Sequence, residues 1–325
     1  MNGPVPVTLL GAGRQGLAHL QAIQKLPALG QVIAGMDPSP QARQRLRDEF
    51  GVGAAHAELA PALEGAAAAV ISVPNHLHTE YALAAFERGL HVFVEKPMAL
   101  TLEDVDRMIE AGRERGLLLM SGQTLRFVPY LRLVKQLLDD GAVGRVRRVV
   151  HRRMGSSRGG DEHSWFARQA LSGGILPGIG VHSLDAILWW LGEEARRVYA
   201  VVQNVDPHPD IDIEDDVALV ATTTSGALVE ASMSFHYKGG TDWLVIGEEG
   251  VIQVDGRGQV LVDGQKQEVP QQVALAGEAS IQEEFLGAIR QQRPLAQASG
   301  AEIRGVMALI FAAQESGRTG QAVEL

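Results

Sequence analysis

The chain has 325 residues, 46% of them hydrophobic, so it is long enough for two domains and apolar enough to bury their cores. Its 29 basic and 39 acidic residues leave a net charge of −10, which argues against a nucleic-acid or acidic-membrane binder. It contains no cysteine, which excludes disulfides, thiolate nucleophiles and cysteine-based metal centres.

The N-terminus lacks the basic and apolar regions of a signal peptide, and no run of about 18 apolar residues marks a transmembrane helix. The expectation is a cytoplasmic protein with no membrane partner. Val5 to Leu10 is a short apolar run that suits a buried strand. GAGRQG follows, then Leu17, Leu20, Ile23 and Leu26 at helical spacing. Gly11, Gly13 and Gly16 fit G-x-G-x-x-G: one glycine for the tight turn, one for close approach to a pyrophosphate, one for close packing. The helix N-terminus offers unpaired N–H groups and a positive dipole end to phosphates. The next strand, GQVIAGMD, ends in Asp37, 21 residues after Gly16. A carboxylate there accepts from ribose hydroxyls and repels a 2′-phosphate by about 1 kcal/mol in water and about 4 kcal/mol at an effective dielectric of 20. That selects NAD rather than NADP; the plainer alternative is that Asp37, before Pro38, starts a turn.

The alternation continues. Ala66 to Val73 reads as a strand stopping at Pro74-Asn75, His78 to Arg88 as a helix with Gly89 as its C-cap, and His91 to Pro97 as a strand. Thr101 caps a helix, with Asp104 completing a partial capping box, and Leu117 to Met120 is the next strand. Strands alternating with helices predict a doubly wound parallel sheet, with ligands beyond the carboxyl ends of the strands, where Asp37, Asn75 and Lys96 fall. In Glu95-Lys96-Pro97 the lysine is placed to donate to the oxygen of a substrate alcohol and to stabilise the alkoxide as hydride leaves. The alternative is an exposed lysine paired with Glu95.

Beyond Gln123 the pattern changes. Pro129 to Asp140 predicts a helix ending at Gly141, and Arg145 to Arg153 a strand of valines and arginines, either a solvated or oligomer-edge face or a site for an anionic substrate. Val217 to Phe235, Trp243 to Val254 and Val260 to Val262 are strand-like, with Gly226, Asp255-Gly256 and Asp263-Gly264 as turns. Ile281 to Gln291 and Glu302 to Glu315 are helical. In GGILPGIGVHSLD, four glycines lead into an apolar helix from Val181 to Leu191, stopped by Gly192. His182, Asp185 and Trp189 stand at i, i+3 and i+7 on one face. A histidine in a helix's first turn is disfavoured as imidazolium by the dipole and suits the base of an alcohol oxidation. Otherwise it caps the helix or pairs with Asp185. Trp165 is placed to stack on a sugar face or to sit in the core. Arg126 reaches the nicotinamide end or serves as an ion-pair partner. His76 and His78 form an H-x-H pair without a third ligand, so no metal is expected.

Taken together and in order, GAGRQG, VPNHLH, VEKP, GQTLRFVPY, GGILPGIGVHSLD and ESGRTGQAVEL resemble the glucose–fructose oxidoreductase, inositol dehydrogenase and MocA-type family over nearly the whole chain. The resemblance implies an N-terminal Rossmann domain, residues 1–122, and a C-terminal α/β domain, residues 123–325, with an open, mostly antiparallel sheet used for homo-oligomer contacts in a dimer or tetramer. It implies NAD(P)-linked oxidation or reduction of a small-molecule sugar, polyol or related substrate. Under it Lys96 and His182 are the catalytic residues and Asp185 helps hold the substrate; Trp165 and Arg126 are further candidates for substrate contact on the residue readings above. The expected cofactor contacts are Gly11, Gly13, Arg14, Gln15 and Gly16 in the turn; Asp37; Ser72, Pro74, Asn75 and His78; Glu95 and Lys96; and Gln123. One position departs from the family pattern: Gly178 stands where an aspartate usually precedes the histidine by four. Either another acid substitutes, or Lys96 and His182 suffice, or the protein senses a ligand with little turnover. A further possibility is a non-redox sugar enzyme that recycles its NAD.

Overall fold

The structure is a computed structural model and describes residues 3–155, 164–205, 207–270 and 278–325. Its first elements are β1 (Val5–Leu10), α1 (Arg14–Gln24), β2 (Gly30–Met36), α2 (Pro40–Asp48), β3 (Ala54–His56), α3 (Leu59–Ala62), β4 (Ala68–Ile71), α4 (His78–Glu87), β5 (His91–Val94), α5 (Leu102–Glu114) and β6 (Leu119–Ser121). There follow α6 (Pro129–Asp139), β7 (Val146–Met154), α7 (Gln169–Ser172), α8 (Val181–Leu191), β8 (Ala195–Gln203), β9 (Asp216–Thr223), β10 (Leu228–Ser234) and β11 (Gly240–Gly247). The chain closes with β12 (Val251–Val254), β13 (Val260–Val262), β14 (Gln265–Lys266), α9 (Glu278–Gln291), α10 (Gly300–Thr319) and β15 (Val323–Glu324). Two compact units result: Met1–Thr124 with Leu275–Arg304, and Leu125–Ala274 with Gly305–Leu325.

The first unit holds a six-stranded sheet in the order β3-β2-β1-β4-β5-β6, with every pairing parallel. Its central strands are apolar and buried on both faces, as crossover helices require: Val7, Leu9 and Leu10 of β1 and all four residues of β4 are 0% exposed. Two starts follow from local chemistry. Ser39 Oγ accepts from Ala42 N–H, and Pro40 opens α2 with its φ already set. Thr101 Oγ1 likewise accepts from Asp104 N–H at the start of α5. Helix α9 returns to this unit from late in the chain, where its Phe285 packs against Phe93 of β5 with ring centroids 5.9 Å apart.

The second unit holds a nine-stranded sheet, β14-β13-β12-β11-β7-β10-β9-β8-β15. All its pairings are antiparallel except that of β7 with β10. The stretch Gln169–Leu191, helical except for a break at Gly173 and Gly174, has the length and apolarity of a membrane span, yet 83% of its most apolar window is buried, so it belongs to the core of this unit.

Candidate active site

In the first unit, β1 ends at Leu10 and the chain turns through Gly11 with φ +92°, a conformation that glycine adopts without penalty. A Cβ at Gly11 would lie 2.5 Å from Ser72 O, and one at Gly16 would lie 2.0 Å from Gly11 O, so both positions are closed to side chains. Gly13 is different. It is exposed, and an added Cβ there would meet nothing within 4 Å. It is also the N-cap of α1, with no side-chain cap and no acidic residue in the first turn, where Arg14 and Gln15 stand. An uncapped N-terminus with open space before it suits an anion such as a pyrophosphate.

Asp37 follows the last residue of β2. Its Oδ2 accepts from Ala12 N–H at 2.9 Å and its Oδ1 from Ser39 N–H at 2.9 Å, which fixes the carboxylate against the glycine turn. Each oxygen keeps a second lone pair for ribose hydroxyls. Along the same carboxyl edge, buried polar atoms stand without a hydrogen-bond partner: Ser72 Oγ after β4, Ser121 Oγ at the end of β6, and both ends of the Gln123 carboxamide. Buried polar atoms are ordinarily satisfied. A row of neutral donors and acceptors, an anchored carboxylate and an uncapped helix start together fit a dinucleotide.

Lys96 follows β5 and is half-buried. Its neighbour Glu95 is 6% exposed and directs its carboxylate inward, to His19 Nε2 at 2.7 Å and to the Lys96 backbone N–H at 3.1 Å. Burial alone would raise the Glu95 pKa, but the His19 hydrogen bond, the charges of His19 and Lys96 and the Lys96 N–H together hold it below the usual carboxylate range. Asn75 is buried in the short turn Asn75–Leu77 just after Pro74. His78 is 0% exposed, with Nδ1 2.8 Å from Pro97 O and Nε2 3.0 Å from Val73 O. Burial lowers its pKa, and its ring ties together the two loops expected to meet a cofactor. His76 is exposed, which splits the H-x-H pair. Among the described residues, no group of three or more His, Cys, Asp or Glu could hold a metal ion.

The second unit carries the glycine-rich run. Gly173 and Gly174 take φ +87° and +86°, and Gln314 of α10 donates to Gly173 O at 2.7 Å. Leu176–Gly180 then form a π-helical turn that continues directly into α8. This corrects the expectation that His182 stands in the first turn of a helix. The helical backbone is already under way before Val181, so the dipole argument for a neutral imidazole does not apply there. The glycines serve packing inside the unit instead: a Cβ at Gly178 would lie 3.2 Å from Phe166 Cζ, and one at Gly180 would lie 3.1 Å from Leu176 Cδ2. Single π-turns of this kind recur at functional sites. His182 is half-exposed where the π-turn becomes α-helix. Trp165 is 36% exposed, its ring edge-on to Phe166, so it is a surface residue rather than a core one. The residues just before it in the sequence, Asp161 to His163, lie outside the described residues.

Asp185 and Arg126, both expected to meet substrate, meet each other. Arg126 donates through Nε to both carboxylate oxygens (3.1 and 3.0 Å) and through Nη2 to Oδ1 at 2.7 Å. Side-chain exposures of 3% and 0% make this an internal pair. The guanidinium carbon also lies 6.0 Å from the centroid of the Trp189 ring, so Arg126 covers two of the three residues on the i, i+3, i+7 face.

His151 of β7, which the sequence did not single out, holds α8 from the sheet side. Its ring stacks on Trp243 with centroids 3.6 Å apart, Nδ1–H donates to Asp242 O (2.9 Å), and Nε2 accepts from Ser183 Oγ (2.8 Å). Burial pushes its pKa down to about 3, whereas an unfolded histidine titrates near 6.5. The folded state therefore binds fewer protons between those values. Its stability is intact above pH 6.5 and declines as pH falls toward 3. Urea unfolding at pH 5.5 should show about 1 kcal/mol less stability than at pH 7.5 from this group alone. His151→Gln should flatten the profile by that amount; an unchanged slope would mean the protons bind elsewhere.

Comparisons with known proteins bear on the family and the fold. Residues 5–123 match the model of an oxidoreductase family with an NAD-binding Rossmann fold, GFO_IDH_MocA, and residues 131–253 match a C-terminal domain of the same family. A 2,7-anhydro-N-acetylneuraminate hydratase of Mediterraneibacter gnavus is 29% identical over 272 residues, 81% of this chain and 71% of that protein. An inositol 2-dehydrogenase of Streptomyces avermitilis is 30% identical over 232 residues, 70% of this chain and 65% of that protein. An aldose-aldose oxidoreductase of Caulobacter crescentus, crystallised with glycerol, shares the fold: TM-score 0.90 at 24% identity, covering 99% of this chain and 100% of the other.

Proposed function

Because the chain belongs to the GFO/IDH/MocA oxidoreductase family, whose first domain is an NAD-binding Rossmann fold, we propose that it transfers hydride between NAD and a hydroxyl or carbonyl of a sugar, polyol or related compound. The observation that carries this reading is the carboxyl edge of the parallel sheet, where an uncapped α1, the anchored Asp37, the unsatisfied Gln123 amide and Lys96 are aligned. Gly13, Arg14 and Gln15 would cradle the phosphates, Asp37 the adenine ribose, and Ser72, Pro74, Asn75 and Gln123 the nicotinamide half. Bound NAD supplies the hydride acceptor. Lys96 holds a cation at the oxygen of the reacting carbon, and His182 takes the hydroxyl proton. Arg126 and Asp185 hold α8 in place, a role that the buried pair supports better than a grip on substrate.

A panel of sugars, polyols and hydroxy acids with NAD, read at 340 nm, should contain at least one productive substrate. Asp37→Ser should raise NADP use relative to NAD by roughly fivefold or more, because about 1–4 kcal/mol of repulsion is removed. A panel without turnover, or an unchanged cofactor ratio, would count against the proposal. The hydratase relative favours a second reading, since adding or removing water involves no net oxidation. Product formation without accumulated NADH would identify that case. We also propose a homo-oligomer, supported by Tyr199, Val201 and Val220 on the two neighbouring strands β8 and β9, which are 45%, 50% and 47% exposed. Light scattering on the intact protein would decide it.

A further inference from the structure

We propose that His19, Glu95 and Gln282 are positioning residues that hold Lys96 in its working orientation. The chain of contacts lies wholly within the first unit. Gln282 of α9 places Nε2 3.2 Å from His19 Nδ1, His19 places Nε2 2.7 Å from Glu95 Oε1, and Glu95 Oε2 accepts the backbone N–H of Lys96 at 3.1 Å. His19 and Gln282 are 0% exposed and Glu95 is 6% exposed. The imidazole is wedged edge-on against Phe93, its centroid 4.8 Å from that ring, and Phe93 in turn meets Phe285 of α9. Gly122 completes the cage, since a Cβ there would lie 3.2 Å from the Glu95 carboxyl.

A hydrophobic trio would pack this space without desolvating a carboxylate and an imidazole. What the polar chain adds is a fixed acceptor for the Lys96 peptide N–H. On the other side, His78 Nδ1 lies 2.8 Å from Pro97 O. The backbone on both sides of Lys96 is therefore tied to a fully buried imidazole, directly or through one carboxylate. A catalytic group that strays by about 1 Å loses roughly a hundredfold in rate, so supports of this kind decide turnover without touching substrate.

This inference rests on the catalytic reading of Lys96, and its test separates the two. The intact protein has only five lysines. Reductive ¹³C-methylation gives each a distinct NMR signal, with Lys96 assigned by its loss in Lys96→Arg. A held Lys96 should give two resolved methyl lines. Glu95→Gln and Gln282→Leu, both close in volume, should merge them and lower kcat by roughly 10–100-fold, with KM and NADH affinity by fluorescence changed less than threefold. Merged lines with lowered kcat support the proposal. If the lines and kcat stay as in the unmutated protein while Lys96→Met loses turnover, the chain is mere packing and the proposal fails. If Lys96→Met keeps turnover, the catalytic reading fails, and the methyl lines alone decide whether the chain holds the side chain.

Discussion

Lys96→Met and His182→Ala are each expected to lower kcat by roughly 10²–10⁴-fold, or about 3–5.5 kcal/mol of barrier, while leaving NAD affinity within threefold. The reasoning differs for the two residues. Lys96 stands at the end of β5, and removing its charge leaves the developing alkoxide without a fixed cation. His182 is half-exposed where a π-turn becomes an α-helix, and removing its imidazole leaves the hydroxyl proton without an acceptor. Asp37 and the glycine turn bear the proposed cofactor contacts, so the NAD Kd should be spared in both variants. Single-turnover kinetics with the panel's best substrate would separate chemistry from binding. Wild-type rates in either variant would remove that residue's role, and a parallel loss of NAD affinity would place it in cofactor binding instead.

The first third of the chain was legible because its signals are local. A β-branched run, a glycine turn and a 3.6-residue apolar stripe lie next to one another, and Asp37 follows at the expected distance. Helix α2 could have been read as well, since Ser39-Pro40 carries both an N-cap and a first-turn proline. His19 shows where local reading stops. It lies between Leu17 and Leu20 on the buried stripe of α1, and periodicity reports burial without naming a partner. That partner is Glu95, 76 positions on, and the third member, Gln282, lies 263 positions away. Asp185 and Arg126 were both singled out, but their separation of 59 residues concealed that they satisfy each other. The glycine run misled for a related reason. Glycine propensity argues against helix, yet Phe166 fills the space beside Gly178 and the segment becomes a π-turn.

Arg126→Ala is expected to cost about 3–5 kcal/mol in stability, because it takes the paired cation from the Asp185 carboxylate in a site with 0% side-chain exposure. The same change removes three hydrogen-bond contacts to that carboxylate and the cation over Trp189. Asp185→Leu alone should be comparably harmful, since it takes the paired carboxylate from a guanidinium that is 3% exposed. Combining Asp185→Leu with Arg126→Met should recover most of the loss, because two apolar side chains of similar volume carry no desolvation penalty. The coupling between the two sites, read from urea unfolding of all four proteins, should therefore be several kcal/mol. Near-additive losses would mean that each residue has a separate partner, and Asp185 would return as a candidate for gripping substrate. A stable double variant that turns over its substrate normally would confine the pair to holding α8; a stable double variant with a raised KM would show that one of the two side chains also meets the substrate.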